Sequence, residues 1–188
     1  MSKSNNQLRI IGGEWKRRIL PFANIDGLRP TPDRVRETVF NWLMWDVQQA
    51  QALDLCAGAG ALGFEALSRG AARVVMIEPD IQQAQFLKKN IELLKAQNCD
   101  VLCSTAEKVL EHLKGEFDLV FLDPPYQLNL WQSLAAKVDP LIIDQGLIYV
   151  EADQPLDKLV LPATWQLFKQ MKAGRVRAGL YRKQLTPM

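Results

Sequence analysis

The sequence has few of the residues that cross-link small proteins or serve as bases in many enzymes. Its 188 residues include three cysteines, without a C-x-x-C pair, and one histidine, His112. Neither a disulfide framework nor a zinc knuckle is supported, so no metal is expected and a reducing cytoplasm is the expected location. Because His112 lies on a predicted helix away from the strand ends described below, we interpret it as structural and expect no histidine-based catalysis.

Long apolar runs are also missing. No window reaches the ~18 uninterrupted apolar residues of a membrane helix, and the polar start, residues 1–10, lacks the apolar stretch of a signal peptide. We therefore expect no membrane attachment. With 48% apolar and 23% charged residues, the chain has the composition of one globular domain that needs no disulfide or metal to fold. A monomer is the default expectation.

Charge is distributed unevenly along the chain. Residues 1–36 carry eight Lys or Arg against three Asp or Glu, residues 166–188 carry six against none, and residues 37–165 therefore have a net charge of −9. Two basic ends predict a polyanionic partner such as a nucleic acid, because lysine and arginine neutralise phosphates. The alternative is that both ends are solvated tails. We predict a basic N-terminal extension at 1–36 and a catalytic domain at 37–188.

The extension reads as a small hairpin followed by the start of a helix. Short strands are predicted at 8–11 and 17–20, with Gly12-Gly13 near the turn. Such a hairpin would display Lys16, Arg17 and Arg18 together. Thr31 is predicted to cap the following helix with Pro32 in its first position.

From residue 51 onward, strand and helix patterns alternate. Strands are predicted at 51–55, 73–77, 100–103, 117–122 and 145–151, with helices at 61–69, 80–96, 106–113 and 128–138. These strands are apolar with little alternation, which indicates a parallel sheet covered by helices on both faces. Strands at 164–171 and 175–183 have no helix between them, so they predict an antiparallel hairpin at one edge. The expected fold is a doubly wound, Rossmann-like α/β domain.

A glycine-rich turn follows the first of these strands. Gly58, Gly60 and Gly63 open a helix, and Glu78 ends the next strand twenty residues after Gly58. A carboxylate there can accept both hydroxyls of a ribose, which indicates an adenosine-containing cofactor, either NAD or S-adenosylmethionine. Asp54 favours the second, because a carboxylate would repel a pyrophosphate and attract ammonium and sulfonium charges. The alternative for Asp54 is a helix cap or a turn former.

The fourth strand ends in Asp123-Pro124-Pro125-Tyr126. The carboxylate of Asp123 and the carbonyl of Pro124 could accept the hydrogens of a planar exocyclic amine and draw its nitrogen toward sp³ geometry. Tyr126 could supply a stacking face for a base taken out of its helix. The alternative is a proline-rich strand exit with a packed tyrosine.

These motifs together resemble a known family. The runs 9–15, 27–43, 54–71 and 123–126 resemble the bacterial RsmD family, and the likeness extends from about residue 9 to Arg182. Members of that family are S-adenosylmethionine-dependent methyltransferases that act on the N2 amine of one guanine in 16S ribosomal RNA. The resemblance implies a class I methyltransferase fold, S-adenosylmethionine as cofactor, and 16S RNA as partner, within the small subunit or an assembly intermediate.

The resemblance also assigns roles to individual residues. It places Asp54, Gly58 and Gly60 around the methionine end of the cofactor, and it places Glu78 on the ribose. The cofactor-binding residues predicted in full are Asp54, Cys56, Ala57, Gly58, Gly60, Glu78, Pro79, Thr105, Ala106 and Asp123; the predicted catalytic residues are Asp123, Pro124 and Tyr126; and the predicted RNA-binding residues are Arg9, Lys16, Arg17, Arg18, Arg29 and Arg34. Thr105 is a departure, since an Asn or Asp is expected where the third strand ends and the adenine amino group is bound.

Three other functions remain open at this point. An adenine-N6 DNA methyltransferase would use the same amine-binding loop, but 188 residues leave no room for a sizeable target-recognition insert, whereas a structured RNA can be recognised by shape. A nicotinamide-dependent oxidoreductase would use the glycines and Glu78 and leave residues 123–126 without a role. A ribosome-binding module would have no catalysis to lose on mutation of Asp123.

Overall fold

The computed structural model describes residues 6–185. Residues 1–5 of the predicted extension and residues 186–188 lie outside the described part. The helices and strands are β1 (Gln7–Arg9), β2 (Ile19–Pro21), α1 (Asp33–Trp42), β3 (Gln51–Asp54), α2 (Ala61–Ser68), β4 (Arg73–Ile77), α3 (Ile81–Leu94), β5 (Cys99–Leu102), α4 (Ala106–Leu110), β6 (Phe117–Leu122), α5 (Trp131–Val138), β7 (Ile142–Ala152), β8 (Trp165–Ala173) and β9 (Val176–Lys183). Within residues 6–185, no helix combines the length and the apolar content needed to cross a bilayer.

Seven strands form one sheet in the order β5-β4-β3-β6-β7-β9-β8. The first five are mutually parallel, whereas β9 runs antiparallel to both β7 and β8. The strand order reverses beside β3, which pairs with β4 on one side and with β6 on the other. Open α/β sheets bind ligands outside the carboxyl ends of the strands at such a switch point. The predicted doubly wound sheet with an antiparallel edge hairpin is confirmed.

The sheet separates two hydrophobic cores. On β4, Val74 and Met76 pack in the core that α1, α2 and α3 cover, and Val75 and Ile77 pack in the core that α4 and α5 cover. All four side chains are at most 4% exposed. Because both faces are buried, the parallel strands carry apolar residues at consecutive positions, as the sequence indicates.

The small sheet of β1 and β2 is fixed to α2 by one buried carboxylate. Glu65 has no exposed surface, and its two oxygens accept from the backbone N–H groups of Ile11 and Gly12 at 3.0 and 2.8 Å. The guanidinium groups of Arg69 and Arg36 lie 2.8 and 3.4 Å from the same carboxylate. A buried carboxylate is tolerated only when it is paired and hydrogen-bonded, so these four donors account for its position.

The N-terminal hairpin also contributes apolar side chains to the main core. Leu8, Ile10 and Leu20 are at most 2% exposed and belong to the core that α1 and α2 cover. The predicted boundary after residue 36 falls within α1. That residues 1–36 contact RNA and residues 37–188 carry out catalysis stays a prediction.

Two predictions near the N-terminus are wrong in detail. The hairpin strands lie at 7–9 and 19–21, so Gly12-Gly13 opens a long connection rather than a tight turn. Thr31 does not cap α1, because the residue before the helix is Pro32, whose backbone is extended at ψ 146°. Thr31 therefore lies one position too early to cap, and its hydroxyl points to Asp123 and Glu151 instead.

Two predicted helices are shorter than the pattern suggests. α4 ends at Leu110, so His112 lies in the exposed turn that follows and not on a helix. The pattern at 128–138 is interrupted by a 3₁₀ turn at Tyr126–Leu128 and by Asn129, whose φ of 48° is left-handed, so α5 begins only at Trp131. A left-handed residue cannot continue an α-helix.

Candidate cofactor and amine site

Four carboxylates lie where neighbouring strands end. Asp54 ends β3, Glu78 follows β4, Asp123 follows β6, and Glu151 lies near the end of β7. Asp54 pairs in register with Phe121, two residues before Asp123. Burial raises the pKa of both Asp54 and Asp123, and the nearby charges of Glu78 and Asp54, respectively, raise these pKa values further. The predicted meeting of acids at one sheet edge is therefore present.

Asp54 combines a helix-capping role with a free acceptor. Its side chain is 1% exposed, and Oδ2 accepts from the backbone N–H of Gly63 in α2 at 3.1 Å. Its Oδ1 is buried and has no hydrogen-bond partner among residues 6–185. Burial raises the pKa of Asp54 to about 7, although the N–H groups of Gly63 and Cys56 act in the opposite direction. A buried acceptor without a partner is costly, so this oxygen suits a donor that arrives with a ligand.

The glycine loop turns tightly between β3 and α2. Gly58 and Gly60 have φ values of +53° and +83°, in the left-handed region that glycine adopts without strain. A Cβ on Gly60 would also lie 2.5 Å from the ring of Phe64. Gly60 is buried and shapes the loop, whereas Gly58 is half-buried and is the glycine a ligand can approach. Ala57 is buried, and its N–H donates to Ile77 of β4 at 2.9 Å.

Glu78 fastens the glycine loop to the end of β4. Its Oε2 accepts from the N–H of Gly58 at 2.9 Å, and its Oε1 accepts from the N–H of Asp80 at 2.8 Å. Burial raises the pKa of Glu78, while both N–H groups lower it. Each carboxylate oxygen can accept a further hydrogen bond, so a diol can still be bound here. Pro79, next in the chain, is exposed.

Sequence reasoning missed Gln83, which links the N-terminal segment to the glycine loop. Gln83 is fully buried on α3; its Nε2 donates to the carbonyl of Gly58 at 2.7 Å, and its Oε1 accepts from the N–H of Ala23 at 2.8 Å. Leu28 also packs near Gly58, since a Cβ there would lie 3.1 Å from Leu28 Cδ1. A glutamine on a helix gives no pattern by which this role could be found.

The loop after β6 is held by contacts with Thr31, Trp131 and Glu151. Asp123 is half-buried and its Oδ2 lies 3.3 Å from Thr31 Oγ1. Burial, and then the charges of Glu151 and Asp54, raise the pKa of Asp123 well above its ordinary value. The ring of Tyr126 stacks on Trp131, with centroids 6.0 Å apart at 25°. Pro124 is buried and Pro125 exposed, so the rigid segment turns at the surface.

Glu151 is the second residue that sequence reasoning missed. It is 4% exposed, and it accepts from the hydroxyls of Tyr126 and Tyr149, each at 2.7 Å. Its Oε2 lies 3.3 Å from the hydroxyl of Thr31. A signal was present, since Glu151 ends an apolar strand at the same sheet edge as Asp54 and Asp123.

The end of β5 presents fewer candidate cofactor-binding groups than the other strand ends. Thr105 is the N-cap of α4, and its Oγ1 accepts from the N–H of Lys108 at 3.5 Å. Its hydroxyl proton has no acceptor within residues 6–185, and Ala106 beside it is buried. Cys56, in the glycine loop, is half-buried; burial raises the pKa of its thiol, as do the charges of Asp54, Asp123 and Glu78. A contact between this region and an adenine ring stays a prediction.

The basic residues of the N-terminal region lie at the surface. Exposed side chains belong to Arg9, Lys16, Arg17, Arg18, Arg29 and Arg34. Arg9 forms an ion pair with Asp33 at 2.8 Å, and Arg18 donates to the carbonyl of Leu93 near the end of α3 at 3.1 Å. In the part of the chain that the structure describes, no group of three or more His, Cys, Asp or Glu could hold a metal ion.

The sheet order, with a glycine loop between β3 and α2 and acids at the strand ends, is that of the class I methyltransferase fold, which similar solved structures share. Comparisons identify its family. Residues 8–182 match the model of the family described as Conserved hypothetical protein 95. The chain belongs to this family, which is the RsmD family, and the resemblance noted in the sequence is confirmed.

Similar proteins cover nearly the whole chain. The chain is 43% identical over 190 residues to Ribosomal RNA small subunit methyltransferase D of Escherichia coli, covering 98% of this chain and 96% of that protein. The solved structure of yhhF from Escherichia coli is 43% identical, with a TM-score of 0.87 over 96% of this chain and 99% of that one. SMU.776, solved with SAH bound, shares the fold at 11% identity, with a TM-score of 0.73 over 96% of this chain and 57% of that one.

Proposed function

We propose that the protein transfers a methyl group from S-adenosylmethionine to the exocyclic N2 amine of a guanine in 16S ribosomal RNA. The reaction takes place in the cytoplasm, on the small subunit or an assembly intermediate of it. The observation that carries the proposal is the pair Asp54 and Asp123 at the ends of neighbouring strands, with one oxygen of Asp54 buried and unpartnered among the described residues. The name of the Escherichia coli relative supports small-subunit RNA as the substrate.

The residues at the ends of β3 and β4 fit this cofactor. S-adenosylmethionine supplies an electrophilic methyl group on a sulfonium centre. Asp54 provides a negative charge in a buried setting, where it attracts a cation strongly. Glu78 retains acceptors for ribose hydroxyls, and the half-buried Gly58 allows close approach to the backbone. SMU.776, which shares this fold, was solved with SAH bound, and this supports a cofactor of that type.

The loop after β6 fits a planar amine. The carboxylate of Asp123 and the carbonyl of Pro124 accept the two amine hydrogens and direct the nitrogen lone pair at the methyl donor. The carboxylate of Asp123 can also accept the proton that the amine loses once it is methylated. The partly exposed ring of Tyr126, held from behind by Trp131, offers a face on which the base can stack.

Isotope transfer tests the proposal directly. The protein is incubated with tritiated S-adenosylmethionine and small subunits from cells that lack it, and the labelled base is mapped. We expect label on the N2 amine of one guanine in 16S RNA. In a parallel incubation with DNA instead of subunits, label on adenine would favour the N6 methyltransferase alternative. Tight binding to subunits without label would favour a non-catalytic module. Isothermal titration with S-adenosylhomocysteine and with NAD tests the oxidoreductase alternative. Binding of S-adenosylhomocysteine but not NAD would exclude it, and the reverse result would favour it.

Loss of charge from the N-terminal hairpin should weaken RNA binding. Replacing Arg17 and Arg18 with alanine is expected to lower RNA affinity about tenfold at low salt, because two phosphate contacts and their counterion release are lost. The dependence of affinity on salt should flatten accordingly, while cofactor affinity is preserved. Filter binding over a salt series measures both.

The charge-matched control for this pair lies elsewhere on the surface. Lys108 and Lys114 are exposed, and they lie in and after α4, outside the basic N-terminal region. Their double alanine variant should keep the wild-type salt slope. Because Arg18 also bonds Leu93, the single Arg17 variant separates phosphate binding from docking of the hairpin. An unaltered salt slope in both arginine variants would refute the assigned role.

The ring of Tyr126 should matter more than its hydroxyl. Tyr126→Ala removes the stacking face and should lower turnover about a hundredfold, since one base–aromatic stack contributes roughly 1–3 kcal/mol. Tyr126→Phe keeps the ring and loses only the hydrogen bond to Glu151, so we expect about a tenfold loss. Single-turnover kinetics on saturating RNA compare the two. Equal losses would contradict a stacking role.

A further inference from the structure

Glu151 has no role in the chemistry proposed above, yet it lies at the centre of the site. Its carboxylate is 4% exposed and lies next to three hydroxyl groups, those of Tyr126, Tyr149 and Thr31. Its backbone carbonyl accepts from the indole N–H of Trp131 at 2.8 Å. We name Thr31, Asp123, Tyr126, Tyr149 and Glu151 the Glu151 cluster.

The Glu151 cluster connects to both residues that would hold the target base. Tyr126 donates its hydroxyl to Glu151 Oε1, which sets the distance of the ring from β7. On the other side, Thr31 Oγ1 lies 3.3 Å from Glu151 Oε2 and 3.3 Å from Asp123 Oδ2. A hydroxyl has one proton and can donate to only one of these carboxylates at a time. Asp123 and Glu151 are therefore linked through a single shared group.

We propose that Glu151 is a positioning residue, which fixes the ring of Tyr126 directly and the carboxylate of Asp123 through Thr31 in the geometry that the bound amine requires. The turnover part of this inference rests on the proposed function. A further contact supports it, since the indole N–H of Trp131 donates to the backbone carbonyl of Glu151 and its ring stacks on Tyr126. Both rings of this stacked pair are therefore hydrogen-bonded to Glu151 of β7.

Electrostatics give the cluster a second consequence. The carboxylates that raise the pKa of Asp123 are Glu151 from β7 and Asp54 from β3, and Thr31 lowers it by its hydrogen bond. Removing the charge of Glu151 should lower the pKa of Asp123, so that it ionises at lower pH. A residue that served folding alone would not change the pH dependence of turnover.

Glu151→Gln is the test, because it keeps the size of the side chain and removes its charge. We expect the rate at saturating RNA to fall about thirtyfold, with the KM for RNA and the affinity for S-adenosylhomocysteine within threefold of wild type. The acid limb of the pH profile should move to lower pH. Glu151→Asp keeps the charge but is shorter, so it should restore the pH profile and not the rate.

Two comparisons separate positioning from folding. Since Glu151 acts partly through the Tyr126 hydroxyl, the double variant with Tyr126→Phe should lose less than the product of the single losses. Trp165→Phe removes a hydrogen bond of equal length, from the indole N–H to Asp139, outside the Glu151 cluster. It should lower thermal stability and leave the rate within threefold. Additive losses, or a rate that follows stability across all the variants, would overturn the proposal.

A measurement without turnover keeps this inference distinct from the proposed function. The chain has three tyrosines, so fluorotyrosine labelling gives three ¹⁹F signals, each assigned by a Tyr→Phe variant. In Glu151→Gln, the Tyr126 signal should shift and broaden as the ring loses its fixed position, while the Tyr181 signal stays unchanged. A Tyr126 signal of wild-type position and width would overturn positioning by Glu151, even if no RNA proves to be a substrate. An inactive wild type with the expected signals would instead reject the proposed function alone.

Discussion

Replacing Asp123 with alanine is expected to lower the rate of methyl transfer at least about 10³-fold while cofactor affinity stays within threefold of wild type. The physical reason is that its carboxylate acts on the amine as positive charge develops on nitrogen, so the interaction is strongest in the transition state. A 10³-fold loss corresponds to about 4 kcal/mol of transition-state stabilisation. Single-turnover kinetics and titration with S-adenosylhomocysteine measure the two quantities separately.

Asp118 provides a matched control on the same strand. It lies near the start of β6, at the end of the strand opposite the site. Its Oδ2 accepts from the N–H of Gln51 at 2.7 Å. Asp118→Asn should leave the rate within twofold of wild type. Asp123→Asn, which can keep a hydrogen bond to Thr31, should still lose most of the rate because the charge is gone. A normal rate for Asp123→Ala would remove the assigned mechanism.

The sheet could be predicted from the sequence because its signal is local. β4 and β6 are apolar at consecutive positions, and in the structure both faces of these strands are buried. The glycine loop and Glu78 were also predictable, because their spacing follows from one strand–turn–helix–strand unit. The limits of α4 and α5 were not, since they depend on single backbone conformations such as the positive φ of Asn129.

Missed parts of the site depend on contacts between distant segments. Thr31 carries a helix-cap pattern, yet its hydroxyl lies near residues 92 and 120 positions further along the chain. Gln83 bonds Ala23, sixty positions earlier, and nothing near Gln83 in the sequence indicates it. Such pairings follow only from the tertiary structure, in which β7 lies beside β6 and the N-terminal segment contacts Gln83, Asp123 and Glu151. Glu151 alone could have been found by asking which other apolar strand ends in an acid.

Asp54→Asn should weaken cofactor binding about a hundredfold or more. The buried carboxylate faces a cationic ligand in the proposed function, and an opposite charge at about 4 Å contributes a few kcal/mol in a partly screened site. In wild type, affinity for S-adenosylmethionine should rise with pH through about 7, where Asp54 ionises. In Asp54→Asn this pH dependence should disappear. Calorimetry in buffers of different ionisation enthalpy also reports the proton that wild type releases on binding.

The same substitution should stabilise the free protein at alkaline pH. The pKa of Asp54 is raised to about 7 in the folded chain from its ordinary value of 3.8, so the folded state favours the neutral acid. The stability that the neutral acid contributes is fully present below pH 3.8 and is lost progressively as pH rises from there to about 7. At pH 8 this difference in pKa lowers the free energy of unfolding by about 4 kcal/mol. Asparagine, which carries no charge, should recover part of that loss.

Thermal unfolding without ligand checks this expectation. Asp54→Asn should raise the Tm at pH 8 by several degrees, at roughly 2–4 °C per kcal/mol for a chain of this size, and should change it little at about pH 3, below both the folded and the unfolded pKa of Asp54. A lower Tm at both pH values would mean that the bond to Gly63 outweighs the buried charge. A gain in Tm that grows as pH rises from about 4 to about 7, together with weaker cofactor binding, would identify Asp54 as a group whose charge serves ligand binding although it destabilises the ligand-free protein.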